Sequence, residues 1–425
     1  MEKEKTETLE IQDFLSVKHI KWEFSRFNII TGDMGAGKSL CIKLLKFFED
    51  IIPTLLGMPY NDFQRNLNSE NYFEFLIVGF KDIFVLSATR KNKSSFKIIY
   101  NFSFKDEIFD IIISGDNKDI RIESIYLRNL LAKWNSDLEK RILNEAITPD
   151  GFDEIKRYFY ADLLKAFGNH FPIATIFIPA SRAALAVSSD YTDNYLKSHN
   201  NLFRILLQFK SRDQEIINTI LKAKIKIDNN FLYLISKDGR EVPLSKASSG
   251  QQEIIYVLML LDRLGNFSYS YGKSQSLFIE EPEAHLFPLE QKQTIELIVQ
   301  MYNILKGNGS PVRVFITTHS PYVLNTINNT LEKSRLLKNV EKIDNIKIKT
   351  EIHNKLKDIS YPDLSVDDVS AYMIREDGTA DTMINTNDEE QYIYSAVIDK
   401  IAEAIQIDTE KLLNIDVEIK KNFET

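Results

Sequence analysis

The chain has 425 residues, 44% of them hydrophobic and 27% charged, a balance typical of soluble globular proteins with two or three domains. The formal net charge of −8 argues against a global attraction for nucleic acid, although a local basic stripe is compatible with it. The single cysteine, Cys41, excludes a disulfide framework and a cysteine-based zinc site within one chain. The charged N-terminal segment lacks an apolar core and no long apolar run follows, so we expect a cytoplasmic protein without a membrane partner.

The first hundred residues predict strands on either side of one helix. Residues 8–32 alternate apolar and polar side chains and end in FNII, which indicates a meander that leads into a buried strand. Residues 38–52 repeat apolar side chains at helical spacing. Residues 72–104 are rich in aromatic and β-branched side chains, so we expect strands joined by a turn at TRKNKSS.

The rest of the chain alternates helical and strand patterns. Residues 122–168 and roughly 194–224 are mainly helical, and the β-rich run IATIFI between them ends at Pro179. Residues 231–244 predict a hairpin that turns at KDG. SLFIEE and VRVFITTHS predict short buried strands, and the last eighty residues predict strands followed by a helix over residues 392–405.

The segment GDMGAGKS, residues 32–39, fits the phosphate-loop pattern G-x-x-x-x-G-K-[ST] between a strand and a helix. Glycines let backbone N–H groups wrap a phosphate at the positive end of the helix dipole. Lys38 would reach the β- and γ-phosphates, and the Ser39 hydroxyl would ligate Mg²⁺. The predicted nucleotide-binding residues here are Gly32, Asp33, Met34, Gly35, Ala36, Gly37, Lys38, Ser39 and Leu40. A glycine-rich turn that matches by chance is the alternative.

Two carboxylates end the apolar strand in SLFIEEPEAHLFP. Buried carboxylates need a cation nearby, and a nucleotide-bound Mg²⁺ would supply it. We predict that Glu280 holds the metal and that Glu281 polarises the attacking water. The alternative is an exposed acidic loop after an edge strand.

His319 follows the next apolar strand, in VFITTHSPYVLN. One helix separates the two strands, and the carboxyl ends of parallel strands open on the same edge of a sheet. We therefore predict that His319 reaches the γ-phosphate and acts with Lys38 and Glu281 in catalysis. A capping or core histidine is the alternative.

The stretch ASSGQQE, residues 247–253, precedes another apolar helical run and could be a plain helix cap. In order, however, the phosphate loop, Ser-Ser-Gly-Gln, Glu-Glu and His resemble the head of ATP-binding-cassette (ABC) ATPases. The long insertion after the phosphate loop is similar to the SMC/RecF/OLD-like branch. FIPASRAAL, ASSGQQE, FIEEPEAHLFP and TTHSPYVLN together resemble stand-alone ATPases of anti-phage defence, such as the Septu, retron-associated and PARIS ATPases, from Leu9 to about Asn325.

The resemblance implies that two heads pack head to tail, so that the signature of one closes on the γ-phosphate held by the other. It assigns that role to Ser248, Ser249, Gly250 and Gln251. Ser249 stands where the family has its first glycine, and Glu280 stands where many relatives have Asp. Gln64 is a weak candidate for the family's Q-loop glutamine, with an exposed surface glutamine as the alternative. Arg182 in IPASR recurs in the resembling proteins, and a surface salt-bridge arginine is an equally good interpretation.

The implied fold is α/β, an ABC-type P-loop ATPase head with a mixed-sheet core, a helical insertion between two lobes and a small α/β C-terminal subdomain. The predicted divisions are residues 1–110 for the lobe with the phosphate loop, 111–230 for the mainly helical insertion, 231–335 for the lobe with the signature, acidic strand and His319, and 336–425 for the C-terminal subdomain.

The resemblance implies a slow, Mg²⁺-dependent ATPase that dimerises with nucleotide and controls an effector nuclease in a defence system. The alternative is a RecF- or SMC-like DNA-repair or DNA-clamp ATPase, which needs a basic surface. Candidate segments are TRKNKSSFK, with Arg90, Lys91, Lys93 and Lys97, and residues 342–357. The long spacing between the phosphate loop and the signature stretch argues against a transporter subunit. The sequence after His319 lacks the acidic cluster that a fused nuclease would need.

Overall fold

The computed structural model describes residues 5–84, 95–116, 119–144, 152–171, 174–180, 182, 214–228, 231–266, 274–309, 311–386 and 391–393. No helix within these ranges combines the length and hydropathy needed to cross a membrane.

An antiparallel sheet of five strands opens the fold. Its strands are β1 (Lys5–Phe14), β2 (Val17–Glu23), β4 (Phe96–Phe104), β5 (Glu107–Gly115) and β6 (Ile120–Glu123). They are ordered β2-β1-β4-β5-β6. In β4, Phe96 and Ile98 are buried whereas Lys97 between them is exposed, because one face of the sheet packs on helices and the other faces water.

A second sheet of six strands positions the candidate site. Its strands are β3 (Phe27–Gly32), β7 (Ala174–Ile178), β11 (Gln275–Glu280), β12 (Val312–Thr317), β13 (Val369–Ile374) and β14 (Ala380–Thr382). Their order is β14-β13-β3-β12-β11-β7, and only β14 is antiparallel to its neighbour. Every residue of β3, β11 and β12 is buried, as expected for parallel strands covered on both faces. The predicted α/β class with a mixed sheet is confirmed.

The described residues also form ten α-helices. They are α1 (Lys38–Gly57), α2 (Tyr60–Asn66), α3 (Ser69–Phe84), α4 (Ile125–Asn144), α5 (Phe152–Phe167), α6 (Gln214–Leu221), α7 (Ser249–Asn266), α8 (Pro288–Gly307), α9 (Pro321–Glu341) and α10 (Ile346–Lys357). One core lies between the first sheet, α1–α5 and the face that carries Phe278 and Phe315. The other lies between the opposite face, with Ile279 and Ile316, and α6–α9.

Smaller strands complete the described fold. β8 (Ala223–Asp228), β9 (Phe231–Ser236) and β10 (Glu241–Pro243) form an antiparallel sheet, which confirms the hairpin predicted at KDG. β15 (Ile384–Thr386) pairs with β16 (Gln391–Ile393).

The structure corrects three predicted elements. Residues 72–84 belong to α3 rather than to strands, because Tyr72, Leu76 and Phe80 recur every four residues and are all buried on one side of the helix. The helix predicted to reach residue 224 gives way to β8 at Ala223, and the one predicted from residue 392 begins in β16.

Other predictions fall outside the described residues or are not tested. Most of the TRKNKSS turn, all of the segment 194–213 and everything after residue 393 lie outside the described ranges. The division into four segments stays a prediction, and β5 runs across its first boundary, between residues 110 and 111.

Candidate active site

The phosphate loop connects the central strand β3 to α1, and two of its glycines are required by their surroundings. Gly32 has a φ of 145°, and a Cβ there would lie 2.3 Å from the carbonyl oxygen of Ile374. Gly37 has a φ of 111°, and a Cβ there would lie 2.8 Å from Ser16 Oγ. Gly37 also caps α1 without a side-chain hydrogen bond, so the first N–H groups of this helix are available to an anion.

Lys38 points back over this loop. Its Nζ donates to the carbonyl oxygens of Gly32 at 2.8 Å and Asp33 at 2.9 Å. Burial lowers the pKa of the Lys38 amine, while Glu281, Asp33 and Glu283 favour its charged form and act against that decrease. A cation held between the loop and these carboxylates is suited to a phosphate group placed there.

The other loop residues differ in their exposure. Asp33, Met34 and Gly35 are exposed at the tip, with Met34 99% exposed. Ala36 is buried, and Ser39 and Leu40 are half-buried in the first turn of α1. The tip can therefore meet a ligand or a second protein surface, while the base of the loop is fixed by packing.

Glu280 ends β11 and is suited to a cation. Its side chain is buried, and Oε2 accepts a hydrogen bond from the backbone N–H of Ala180 at 3.0 Å. Its other oxygen, Oε1, is buried and has no hydrogen-bond partner among the described residues. A buried carboxylate oxygen without a donor matches what a metal ion or its bound water would complete. Glu280 and Ser39 are the residues that would hold Mg²⁺.

Glu281 follows in a conformation that side chains other than glycine seldom adopt. Its φ is 44°, and its N–H donates to the carbonyl oxygen of Thr317 at 2.9 Å, which fixes β11 to β12 beyond the last paired residues. Left-handed backbone at such a residue costs of order 1–3 kcal/mol and persists only when the surroundings impose it. The result is that the carboxylate turns toward the end of β12.

His319 lies at the end of β12, beside Glu281. Nδ1 of His319 is 3.5 Å from Oε1 of Glu281 and 4.0 Å from Oε1 of Glu283. Hydrogen bonding with His319 lowers the pKa of Glu281, and the same contact raises the pKa of His319. Glu281 is thus kept as a carboxylate, the form that can accept a proton from water.

Glu283 is a residue of this site that sequence reasoning missed. Its Oε1 accepts hydrogen bonds from Thr318 Oγ1 at 2.5 Å and from the N–H of His319 at 3.1 Å. Burial raises the pKa of Glu283, while these hydrogen bonds act to lower it. Glu283 therefore fixes the backbone that carries His319, and the third glutamate of the EEPE stretch was the available sequence signal.

The Ser248–Gln251 stretch forms a capping box at the start of α7. The N–H and Oγ of Ser248 both lie within hydrogen-bond distance of Gln251 Oε1, at 3.3 and 3.1 Å, and the Gln251 N–H donates back to Ser248 Oγ. A Cβ on Gly250 would lie 2.6 Å from the carbonyl oxygen of His285. Ser248 and Ser249 are exposed. Within the described part of the chain, none of the hydrogen bonds of this stretch involves the phosphate loop.

The structure thus brings Lys38, Glu280, Glu281 and His319 to one edge of the central sheet. The signature stretch, residues 248–251, makes no described hydrogen bond with the phosphate loop of its own chain. The structure also decides two alternatives left open by the sequence. Arg182 is fully buried, so the interpretation as a surface arginine is wrong. Gln64 lies exposed on α2, in agreement with a surface glutamine.

Comparison with solved structures gives distant likenesses. The Smc head domain derived from Pyrococcus furiosus is 11% identical, with 94% of this chain and 99% of that chain covered and a TM-score of 0.38. The SMC head domain from Thermotoga maritima is 13% identical, with 76% and 91% covered and a TM-score of 0.31. The recombination mediator protein RecF is 12% identical, with 89% and 98% covered and a TM-score of 0.34. Such low scores do not decide the function.

Sequence comparison is decisive for the family. No curated protein matches the chain. The family model described as "AAA domain, putative AbiEii toxin, Type IV TA system" matches residues 27–325, which include the phosphate loop, the acidic strand and His319. Because this match spans more than half of the chain, the protein belongs to the AAA_21 family of P-loop ATPase domains.

Proposed function

We propose that this protein is a regulatory ATPase of an anti-phage defence system, in which ATP joins two copies head to tail and hydrolysis releases them. The observation that carries the proposal is the convergence of Lys38, Glu281 and His319 at one sheet edge, while Ser248 and Ser249 are exposed elsewhere on the same chain. The family description, which names a toxin and a toxin–antitoxin system, supports a switch that holds or releases a toxic effector such as a partner nuclease.

Each group has a distinct part in the proposed hydrolysis. The N–H groups of the loop and the Lys38 amine bind the phosphates, and Ser39 and Glu280 would hold a metal ion. A bound Mg²⁺ would offset the negative charge that develops on the phosphates. Glu281 accepts a proton from the attacking water, and His319 orients Glu281 and contributes a donor near the γ-phosphate.

The exposed start of α7 supplies the second half of each proposed site. A serine hydroxyl and free N–H groups at the start of a long helix are good donors to an anion. Ser248 makes its described side-chain hydrogen bonds with Gln251 of its own chain, so its hydroxyl can rotate toward a phosphate without breaking the fold. Two-fold pairing of such heads gives two equal sites from one interface.

Replacing Glu281 with Gln tests the hydrolytic assignment. We expect Glu281→Gln to bind ATP but hydrolyse it about 100- to 1,000-fold more slowly, because the water loses its proton acceptor. The variant should then retain ATP and elute as a larger species than the wild type in size-exclusion chromatography with ATP. Lys38→Ala, which removes the phosphate-binding amine, is the matched control. It should neither retain ATP nor elute as a larger species. A Glu281→Gln protein that retains no ATP and keeps its assembly state contradicts the proposal.

Mixing two inactive variants tests the shared sites. Ser248→Arg blocks the signature stretch but leaves Lys38 in place. Lys38→Ala removes the lysine but leaves the signature stretch intact. A head-to-tail heterodimer of the two contains one intact site, so an equal mixture with random pairing should recover about a quarter of the wild-type rate. A mixture that recovers nothing would show that Ser248 acts only as the cap of its own helix.

A DNA-clamp ATPase is the second candidate, favoured by the exposed lysines of α10. The described contacts weaken it, since Lys349 pairs with Glu341 at 2.7 Å and Lys355 pairs with Glu351 at 2.7 Å. Lys97 is exposed on β4, and Arg90, Lys91 and Lys93 lie outside the described residues. DNA affinity that falls steeply with salt would favour the clamp, whereas affinity insensitive to salt or no binding would exclude it.

A further inference from the structure

Arg182 lies behind the candidate site rather than in it. The side chain is fully buried and directs four of its five N–H donors to backbone carbonyls. Nε donates to Glu253 at 3.0 Å, Nη1 donates to Pro179 at 3.0 Å and to Glu280 at 2.5 Å, and Nη2 donates to Glu281 at 2.9 Å.

These carbonyls belong to three different elements. Glu253 lies in the second turn of α7, three residues after Gly250 of the signature stretch. Pro179 directly follows β7, and the Glu280 and Glu281 carbonyls mark the end of β11. One planar guanidinium therefore holds the helix that carries the signature stretch against the strand end that carries both carboxylates of the site.

A second contact strengthens the link to α7. The Glu253 carboxylate accepts a hydrogen bond from the Arg182 backbone N–H at 3.1 Å and lies 3.3 Å from Nε. Because the two residues share both backbone and side-chain contacts, a shift of α7 along or about its axis has to move Arg182. The same guanidinium contacts the backbone of Glu281, whose φ of 44° already requires support from its surroundings.

The charges around Arg182 fit this role. Burial acts to lower the pKa of the guanidinium, and Glu253, Glu283, Glu280 and Glu281 act to raise it. Arginine stays protonated in proteins, so Arg182 is a fixed positive charge among four carboxylates. A neutral side chain would leave these carboxylates without that charge, and a lysine would lose the fixed fork that reaches three elements at once.

We propose that Arg182 is a positioning residue that couples the two ATP sites of a head-to-tail pair. The inference rests on the proposed function, in which Glu280 and Glu281 of a chain serve one site while Ser248 and Gly250 of the same chain serve the other. Arg182 connects these two groups inside each chain. Closure of α7 on the nucleotide of one site thereby adjusts the carboxylates of the other site, and the two sites respond to ATP together.

The test compares the ATP dependence of hydrolysis in wild-type protein and Arg182→Lys. For two coupled sites we expect a wild-type Hill coefficient of about 1.5 to 2, and a coefficient of about 1 in the variant. Turnover should fall about 10- to 100-fold, as small misplacements of catalytic groups do, while the Kd for a fluorescent ATP analogue changes less than about threefold. Arg240→Lys is the matched control, because Arg240 is exposed in the β9–β10 hairpin and should change neither value.

Glu253→Gln provides a second variant that leaves Arg182 in place and should lower the Hill coefficient in the same direction. It decides the test if Arg182→Lys does not fold. Folded variants with wild-type turnover and Hill coefficient would overturn the coupling role and leave the proposed function standing. Equal losses of melting temperature, ATP affinity and turnover in Arg182→Lys, with Glu253→Gln unchanged, would also overturn it. A wild-type protein that neither hydrolyses ATP nor associates with it would overturn the proposed function itself, and the coupling with it.

Discussion

Two arginines of the described residues are buried, and they lie at opposite ends of the central sheet. Arg182 lies at the carboxyl ends of β7 and β11 and binds mainly backbone carbonyls. Arg313 is the second residue of β12, at the amino end, and binds side chains. Nη1 of Arg313 donates to Glu7, and Nη2 donates to Ser276 Oγ at 2.7 Å and lies 3.0 Å from Oε1 of Glu49.

The partners explain what each arginine can do. Glu7 lies on β1 of the first sheet, Glu49 on α1 and Ser276 on β11, so Arg313 joins the two sheets and the phosphate-loop helix through its side-chain contacts. Changing this cluster alters the stability of the whole fold. Arg182 instead holds four carbonyl groups, two of which belong to the candidate site residues Glu280 and Glu281, so changing it alters where those residues lie. Burial alone does not tell whether a buried arginine stabilises the fold or positions other residues. The groups that accept its hydrogen bonds, side chains for Arg313 and mainly backbone carbonyls for Arg182, make that distinction.

The largest expected effect is on stability, in Arg313→Met. This variant leaves the Glu7 carboxylate buried without its cation, which typically costs about 3–5 kcal/mol in the free energy of unfolding. Denaturant unfolding measures it. Adding Glu7→Gln to Arg313→Met removes the uncompensated charge, so this double variant should recover part of the loss. An Arg313→Met protein as stable as the wild type would show that the cluster does not join the sheets.

The next largest expected effect is a pH dependence of the free energy of unfolding, which comes from Glu49. Burial raises the pKa of Glu49 to about 8, with Arg313 acting to lower it and Glu7 to raise it. Its pKa in the unfolded chain is close to 4.5, so the unfolded state releases this proton first as the pH rises. The contribution of Glu49 to stability is therefore highest below pH 4.5 and decreases up to about pH 8, by at most about 1.4 kcal/mol per pH unit.

Glu49→Gln isolates this effect, because glutamine resembles the protonated acid. The difference in unfolding free energy between the variant and the wild type should increase from pH 5 to pH 8 in favour of the variant, within the slope given by one proton. Asp82→Asn, at an exposed position of α3, is the control for general charge removal. A difference that stays constant with pH would contradict a proton held by buried Glu49.

Glu253→Gln should have a smaller effect on stability than Arg313→Met. It removes one carboxylate from Arg182, but Glu280, Glu281 and Glu283 still surround the guanidinium and the Glu253 carbonyl acceptor remains. We expect a loss of about 1–2 kcal/mol, the range for a buried hydrogen-bond partner weakened rather than removed. Chemical denaturation checks this value. A loss as large as that of Arg313→Met would mean that Arg182 is also mainly a stabilising charge.

Sequence reasoning predicted the parts of the site that follow from strand order. The phosphate loop has a complete motif, and parallel strands place Glu281 and His319 at one edge, as the 3.5 Å distance between Oε1 and Nδ1 shows. The same reasoning failed where aromatic content outweighed spacing, as in α3. The four-residue repeat of Tyr72, Leu76 and Phe80 was the better signal there.

Arg182 and Glu283 could not be assigned in this way. Apart from the Pro179 carbonyl three residues away, Arg182 binds groups that lie 71 to 99 residues away along the chain, and most of those groups are backbone carbonyls, which every residue type has. No pattern of side chains records such partners. Glu283 acts through the backbone N–H of His319, 36 residues away, and its role depends on the turn that brings β11 and β12 together. Long-range contacts to the backbone therefore limit what the sequence predicts about the rest of the site.

The smallest expected effect is the titration of His319, which is 57% exposed and contributes little to overall stability. The hydrogen bond with Glu281 raises the pKa of His319 above its ordinary 6.5, with Glu283 acting in the same direction, and partial burial and Lys38 acting against it. The stabilising contribution of the raised pKa is fully present below pH 6.5 and is lost as the pH rises through the folded-state pKa.

NMR titration of the histidine rings measures this pKa directly, with His319→Gln identifying the signal among the six histidines. Glu281→Gln should shift the pKa of His319 back toward 6.5, because the amide favours the charged ring far less than the carboxylate does. Arg182→Lys sharpens the comparison of the two arginines. If Arg182 positions Glu281, this remote substitution should also lower the pKa of His319, whereas Arg313→Met, when still folded, should leave it unchanged. An unchanged pKa of His319 in Arg182→Lys would show that the Arg182 guanidinium does not orient Glu281.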